Sequence, residues 1–479
     1  MRAIEIYDQG LAKHPKNFDL AYNKARLELE LSEQSNLVSR LPMSFMDLLQ
    51  QALASHRYAI RLNETNTDIA FNTAQVLISL AEAVADGPLK TLPSGDNDAA
   101  VHLLEALDML GAVYSKQEEE IERQQASLAV ESDNDADGGV PVESDTAELQ
   151  SASPSSTNQA VALQSATIEH PTTFSDLLDT ARASLTALTQ LVSLDHVSDL
   201  TKMGRIAVNL IAKTIPYCLA RIPDDERDHV SDEIALQATN FVAASTNAEY
   251  RVGMLPLSEY ISRLEAFQTL NLETNFAAIC DYADSLVTLG TEVTRTYRIS
   301  GVRNASPSFA PVADLVVPET AADIANITWQ ALTKAQTLYG AGFRLENNLD
   351  LTVSAKAVIN ENRGDAEMLR FRLLFAPFSL SEQRHQASKL VQNATVYYRA
   401  AMQQYRNSGD DETADRLEVR RLIARLGVGH VEGTIGDAIA EIVGELKYTG
   451  SIGETEVREM LGQGMIAGEI WDNYIAGYI

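Results

Sequence analysis

Through most of the chain apolar residues return every three or four positions, with polar residues filling the opposite face. That spacing predicts amphipathic α-helices, and the alternation expected of strands is nearly absent. Two stretches carry the same pattern 49 residues apart: IYDQGLAKHPKNFDLAYNKARLEL from Ile6, and SHRYAIRLNETNTDIAFNTAQVLI from Ser55. Tyr7 falls on His56, Gly10 on Ala59, Leu11 on Ile60, Pro15 on Glu64, Asn17 on Asn66 and Asp19 on Asp68. Ala21, Tyr22, Asn23 and Ala25 fall on Ala70, Phe71, Asn72 and Ala74. Small residues recur where two helices must approach closely, aromatics where a gap must be filled, and a turn separates the two apolar runs. Such duplication predicts helical hairpins that stack on one another.

Beyond residue 80 the same helical spacing continues with weaker internal likeness. Phe174 opens a helix with Ser175 expected as its N-cap and Leu177, Leu178, Ala181, Leu185, Leu188 and Leu191 on one face. Helices are predicted near Asp199–Leu219, Asp224–Ala244, Leu257–Gln268 and Leu272–Tyr297, with Pro216, Pro223 and Pro256 as breakers at their ends. After a proline-containing loop come Glu319–Phe343, Asp365–Phe375, Gln383–Asn407 and Asp411–Leu426, the last ended by the GVGHVEGTIG run from Gly427. The tail reads as short helices separated by Gly450, Gly453 and Gly477. Five regions are therefore expected: helical repeats over 1–127, an acidic Ser/Thr-rich disordered linker over 128–172, degenerate helical repeats over 173–300, a loop over 301–318, and a C-terminal helical region over 319–479.

Small–aromatic–small–large spacing, with a proline before the next unit, resembles the tetratricopeptide repeat, a helix–turn–helix unit of about 34 residues. Ala3, Tyr7, Gly10, Leu11 and Pro15 match the second helix of one unit, and Ala21, Tyr22, Asn23 and Ala25 open the next. Ala52, His56, Ala59 and Ile60, then Ala70, Phe71, Asn72 and Ala74, repeat the cycle with Glu64 in place of proline. An insertion between Ser32 and Ser44 accounts for the longer period. Further second-helix patterns are Ala99, Leu103, Ala106, Leu107 and Ala394, Tyr398, Ala401. The resemblance is clearest over residues 3–80, and it implies an all-α solenoid of stacked hairpins. Met1 falls inside a second helix, so either the start is truncated or later helices fold back over it.

The family's best-known ligand site is a carboxylate clamp for the acidic tails of heat-shock chaperones, in which fixed Lys, Arg and Asn side chains grip a carboxylate. Asn23 and Asn72 stand at groove-facing positions, but Asp68 stands where Lys is expected and Asn72 where Arg is expected. Asp19 and Asp68 would repel a carboxylate, so the clamp and chaperone-tail binding are expected to be absent. The candidate peptide groove is Asp19, Tyr22, Asn23, Arg26, Asp68, Phe71, Asn72 and Gln75. Alternatively Tyr22 and Phe71 pack between helices, and the two asparagines merely satisfy a neighbouring helix turn.

Charge narrows the partners. The chain carries 67 Asp and Glu against 38 Lys and Arg, a net charge of −29 over 479 residues. A field of that sign disfavours nucleic acid and anionic membranes and favours basic proteins, although solubility alone is a sufficient reason for it. Between Arg123 and Arg182 there is no Lys or Arg, while Glu131, Asp133, Asp135, Asp137, Glu143, Asp145 and Glu148 cluster. That arm either wraps a basic client or is a plain linker. Four arginines run against the trend: Arg416, Arg420, Arg421 and Arg425 at helical spacing. They form either a docking stripe, for a partner or for the acidic arm, or ordinary pairs with Glu412 and Glu418.

Signals for chemistry are weak. Eight histidines are scattered with no H-E-x-x-H spacing, and neither a phosphate loop nor a G-x-S-x-G elbow occurs. Cys218 and Cys280 have no metal-ligand spacing and imply a reducing compartment, with Cys280 on an apolar helix face. Gly427, Gly429 and Gly433 read as a helix cap and turn. No positively charged start with an apolar core follows Met1, and no apolar run reaches the length of a membrane span. The expectation is a non-enzymatic binding protein without cofactor or metal, cytoplasmic or also nuclear, escorting a basic client such as a ribosomal or nucleic-acid-binding protein. The alternative is a structural adaptor subunit of a multiprotein complex.

Overall fold

The computed structural model of the chain describes residues 2–34, 38, 41–86, 95–134, 171–194, 199–296, 320–346, 352–375, 378–432, 441–442, 444–446 and 449–466. Among them there are sixteen α-helices and no strand. Two hairpins come first: α1 (Arg2–Lys13) with α2 (Phe18–Ser32), and α3 (Phe45–Leu62) with α4 (Thr67–Asp86). The long α5 (Gly95–Asn134) and α6 (Phe174–Ser193) follow. Next, α7 (Leu200–Asn209) passes through a π turn at Leu210–Thr214 into α8 (Ile215–Leu219). The middle holds α9 (Asp224–Arg251), α10 (Leu257–Leu264) and α11 (Phe276–Thr296), and then α12 (Ala321–Glu346). The last four are α13 (Val353–Arg372), α14 (Ala387–Ser408), α15 (Asp411–Glu432) and α16 (Gly450–Gly462).

Helix starts are set locally. In the duplicated hairpins, Asn17 accepts the Leu20 N–H and Asn66 accepts the Ile69 N–H, each at 2.9 Å. These asparagines stand 49 residues apart and satisfy the same orphan donor at the start of α2 and of α4. A Ser/Thr-x-x-Asp capping box opens α3 (Ser44, Asp47) and α6 (Thr173, Asp176). The cap of α6 is thus Thr173 and not Ser175, because the reciprocal bond to Asp176 fixes the register. The π turn lies just before Pro216, whose ring nitrogen has no proton to donate to the ladder.

Packing follows chain order. Each helix lies against its sequence neighbours from α1 through α6, then α6 against α9, α9 against α11, and so on to α16. The architecture is an all-α array of stacked helical hairpins. Ala25 and Ala74, equivalent in the two copies, are each 0% exposed, as small residues at close crossings should be. A methyl group on Gly10 would sit 3.2 Å from the Leu20 side chain, so α1 and α2 touch there almost backbone to side chain. One apolar core extends from Leu29 to Phe241 and a second from Ala243 to Ile466, so α9 contributes to both. Both later repeat-like patterns are buried: Ala99, Leu103 and Ala106 in the first core, Ala394, Tyr398 and Ala401 in the second.

Several boundaries differ from those the sequence suggested. Helix α5 runs on to Asn134, because KQEEEIERQQASLAVE is built of good helix formers. The linker expected from residue 128 therefore overlaps a helix at its start, and residues 135–170 lie outside the described residues. So does the loop expected at 301–318. Helix α13 begins at Val353, capped by Thr352, not at Asp365. Within α13, Gly364 is a packing position: its missing Cβ would lie 2.4 Å from the Tyr398 ring. Helix α15 continues through Gly427 and Gly429 to Glu432, so neither glycine caps it. At Gly427 a Cβ would meet Val391 at 2.9 Å, and the glycine lets α15 close on α14. Gly450, at φ +59°, is the first residue of α16, while Gly453 lies inside that helix instead of separating helices.

Candidate functional site

The expected groove residues divide into two groups. Tyr22 on α2 is half-buried, stacks on Phe18 with ring planes 4° apart, and accepts a 3.3 Å hydrogen bond from Asn72 on α4. That bond joins the two duplicated hairpins, so Tyr22 and Asn72 act between helices. Phe71 and Gln75 are half-buried, and Phe71 packs against the Leu29–Phe241 core. Asp19, Asn23 and Arg26 are exposed, with Arg26 bound to Glu30 at 2.7 Å. Among the described residues no hydrogen bond joins Asp19 or Asn23 to the second hairpin.

Asp68 opens onto a feature that residue spacing did not reveal. Its pKa is raised by burial and then by the negative charge of Asp176 at the start of α6. Asp179 is raised by burial, with Arg182 opposing and with Asp176 and Glu226 adding to the rise. The starts of α4, α6 and α9 thus meet in one acidic ridge, where carboxylates outnumber the cation that answers them, Arg182. Asp176 and Asp179 stand three residues apart on α6, but nothing in the local sequence joins them to Asp68 or Glu226. Asp68, Asp176 and Glu226 each sit in the first turn of a helix, where a negative charge complements the macrodipole, while Asp179 lies in the second turn of α6; their convergence is a property of the stacking.

All four arginines of the basic stripe are committed within the chain. Arg420 is 4% exposed and donates through Nη1 to both Asp365 oxygens at 2.8 and 2.7 Å and through Nε to Glu456 at 2.5 Å. Arg416 binds Glu456 at 2.8 Å and Glu459 at 2.9 Å. Arg421 pairs with Glu418, and Arg425 with Glu445. Arg416 and Arg420 therefore dock the chain's own helix α16 against α13 and α15, and each arginine of the stripe has a carboxylate partner within the chain. A reading from spacing alone could anticipate Glu418 but not Asp365 or Glu456, which lie 55 and 36 residues away. Of the acidic arm, Glu131 and Asp133 fall on the last turns of α5, while Asp135, Asp137, Glu143, Asp145 and Glu148 lie outside the described residues.

A cavity of about 860 Å³ opens among α4, α5, α6, α9, α10, α11 and α16. Its wall carries five carboxylates (Glu82, Asp281, Asp284, Glu292 and Glu459) against two guanidiniums, those of Arg251 and Arg295. Both guanidiniums are occupied: Arg251 donates to the carbonyls of Val192, Ser193 and Leu194 at the end of α6, and Arg295 pairs with Glu292 at 2.7 Å. Helix α16 closes one side. There the Gln463 carbonyl accepts from Thr294 Oγ1 at 2.9 Å, and Gly464, at φ +73°, lies so near that a Cβ would stand 2.6 Å from the Thr294 carbonyl. The array thus bends far enough for α4 and α16 to share one wall.

Asp281 and Asp284 of this wall, one helical turn apart on α11, are held by neutral donors. Asn240 donates to Asp281 Oδ2 at 2.6 Å. Tyr339 and Asn362, the latter at 2.8 Å, both donate to Oδ1 of Asp284. Burial pushes the Asp284 carboxyl up to about 6 despite those two bonds, with the charge of Asp281 adding to the rise. Neither thiol is activated: burial pushes Cys218 up to about 11 and Cys280 up to about 12. Among the described residues no group of three or more His, Cys, Asp or Glu could hold a metal ion, and no helix is long and apolar enough to cross a membrane.

No family model matches the chain. Over 88 residues it is 38% identical to the UPF0656 protein C926.02 of Schizosaccharomyces pombe, a stretch covering 18% of this chain and 18% of that protein. The match therefore spans less than a fifth of either. Among solved structures, a circular tandem repeat protein with novel repeat topology and enhanced subunit contact surfaces aligns over 99% of this chain and 90% of its own, at 12% identity. Its TM-score of 0.27 is too low to bear on the fold.

Proposed function

We propose that this chain is a tetratricopeptide-like, non-enzymatic binding protein that escorts a basic client, such as a ribosomal or other nucleic-acid-binding protein, in the cytoplasm or the nucleus. The observation that carries this reading is the acidic ridge at the starts of α4, α6 and α9. Asp68 and Asp179 are both shifted toward protonation: burial leads in each, Asp176 adds to it at Asp68, and at Asp179 Arg182 opposes it before Asp176 and Glu226 add their charge. Such a surface gains most when a positively charged guest supplies the missing counter-ions, and long-range attraction would speed the encounter. The net charge of −29 acts in the same sense over the whole molecule.

The test is binding of a fluorescein-labelled Arg-Gly-Ser repeat peptide to the full chain, followed by anisotropy at about 50 mM and about 300 mM NaCl, which shortens the screening length roughly 2.5-fold. Affinity is expected to fall at least about ten-fold between the two. A Glu-Gly-Ser peptide of equal length is expected not to bind. An affinity indifferent to salt, or equal binding of the acidic peptide, rules the reading out.

A further inference from the structure

Several acceptors of the central cavity have no donor among the described residues. Two donors converge on Oδ1 of Asp284, leaving Oδ2 without one, and the single Asn240 bond leaves Oδ1 of Asp281 likewise open. Two amide oxygens of the same wall, Gln190 Oε1 and Gln463 Oε1, are shut off from solvent and have no hydrogen-bond donor among the described residues. The orientation of Gln463 is fixed, since its amide nitrogen donates to Glu459 at 3.0 Å. The open carboxylate oxygens favour a guest that brings donors. No Lys, Arg or His among the described residues lies within 4.0 Å of Asp281 or Asp284.

We propose that this cavity seats an arginine side chain of the basic client, its guanidinium shared between the Asp281 and Asp284 carboxylates. The proposal rests on the client reading above and adds where, and by what chemistry, the client is gripped. Arginine fits better than lysine for a geometric reason. The guanidinium presents five N–H donors in a flat fork, enough to bridge two carboxylates at once, and it gives up hydration more readily than an ammonium. The cavity's own arginines leave the position open, because both are already bound at its rim. A cation at this point would also reverse the upward shift that burial imposes on Asp284.

The experiment compares the full-length chain with three variants against the labelled Arg-Gly-Ser peptide and its Lys-Gly-Ser counterpart. D281N/D284N keeps the shape of both side chains and removes their charge. E119Q/E122Q removes the same charge from an exposed face of α5, away from the cavity. T288R places a tethered guanidinium four residues from Asp284 on the cavity side of α11, where it competes with a guest while both carboxylates remain. D281N alone serves where the double variant melts early, because it leaves the acceptor of Tyr339 and Asn362 intact. D281N/D284N and T288R are each expected to lose about ten-fold in affinity or more, E119Q/E122Q less than about two-fold, and the wild type to prefer the arginine peptide. Equal losses in D281N/D284N and E119Q/E122Q would overturn the cavity site and leave the client reading standing. So would an unaltered affinity in T288R. Absence of binding by the wild type would overturn both.

Discussion

Replacing Arg420 by methionine puts the attachment of helix α16 to a direct test. Arg420 is 4% exposed and is the shared counter-ion of Asp365 and Glu456, three charged groups buried where α13, α15 and α16 meet. Methionine fills much of the same volume but leaves both carboxylates in a poorly solvated site, and breaking a buried pair in this way costs about 3–5 kcal/mol. Glu456 keeps Arg416 at 2.8 Å and Asp365 keeps the Tyr398 hydroxyl at 2.8 Å, so the lower end, about 3 kcal/mol, is expected. That energy bears on local opening of α16, and hydrogen exchange of amides within Gly450–Gly462 should speed up by about a hundred-fold while those of α3 and α4 hold their rates. Neutralising the orphans should restore much of the loss, so R420M/D365N/E456Q is expected to protect α16 better than R420M does. Exchange in α16 altered by less than about three-fold, or a triple variant no better than the single one, would refute the assignment of Arg420 as the clasp.

Acid should release the same helix. Burial pushes Glu456 up, but Arg420 and Arg416 more than offset this and hold it below the usual glutamate value. A depressed carboxyl stabilises above its unfolded value and loses that contribution as pH falls through the folded one, so protection of α16 should drop below about pH 4. Asp284 has the opposite sign. Raised to about 6, it penalises the fold at neutral pH, and the penalty fades as pH falls through that value. D284N should therefore stabilise the chain against urea by about 1–3 kcal/mol at pH 7 and by less than about 1 kcal/mol near pH 4. Gly464→Ala forces a Cβ against the Thr294 carbonyl at positive φ, and circular-dichroism melts should show a loss of about 2 kcal/mol or more. Asn17→Ala and Asn66→Ala each remove one N-cap and should cost about 1 kcal/mol by the same assay, equal costs marking equivalent hairpins.

The duplicated hairpins were legible in the sequence because their determinants are local. Asn17 and Asn66 cap within three residues, and Ala25 and Ala74 lie on the buried stripe that helical spacing marks. Gly427 misled, since a glycine at a close crossing looks like a glycine at a helix end. It accepts a neighbouring side chain where a Cβ would collide. The Arg416–Arg425 run was visible as a stripe, but its partners lie up to 55 residues away and follow only from how α13, α15 and α16 stack. For the same reason the cavity was illegible. Asp281 and Asp284 stand on α11, Gln190 on α6 and Gln463 just past the end of α16, and only the bend of the array brings them to one wall.

The sealed arginine–carboxylate cluster and the open acidic cavity respond to electrolyte in opposite ways. Mobile ions reach the cavity mouth and weaken whatever it holds, but they cannot enter the cluster that fastens α16 across it. Concentrated salt should thus screen the cavity's carboxylates while leaving α16 fastened in place.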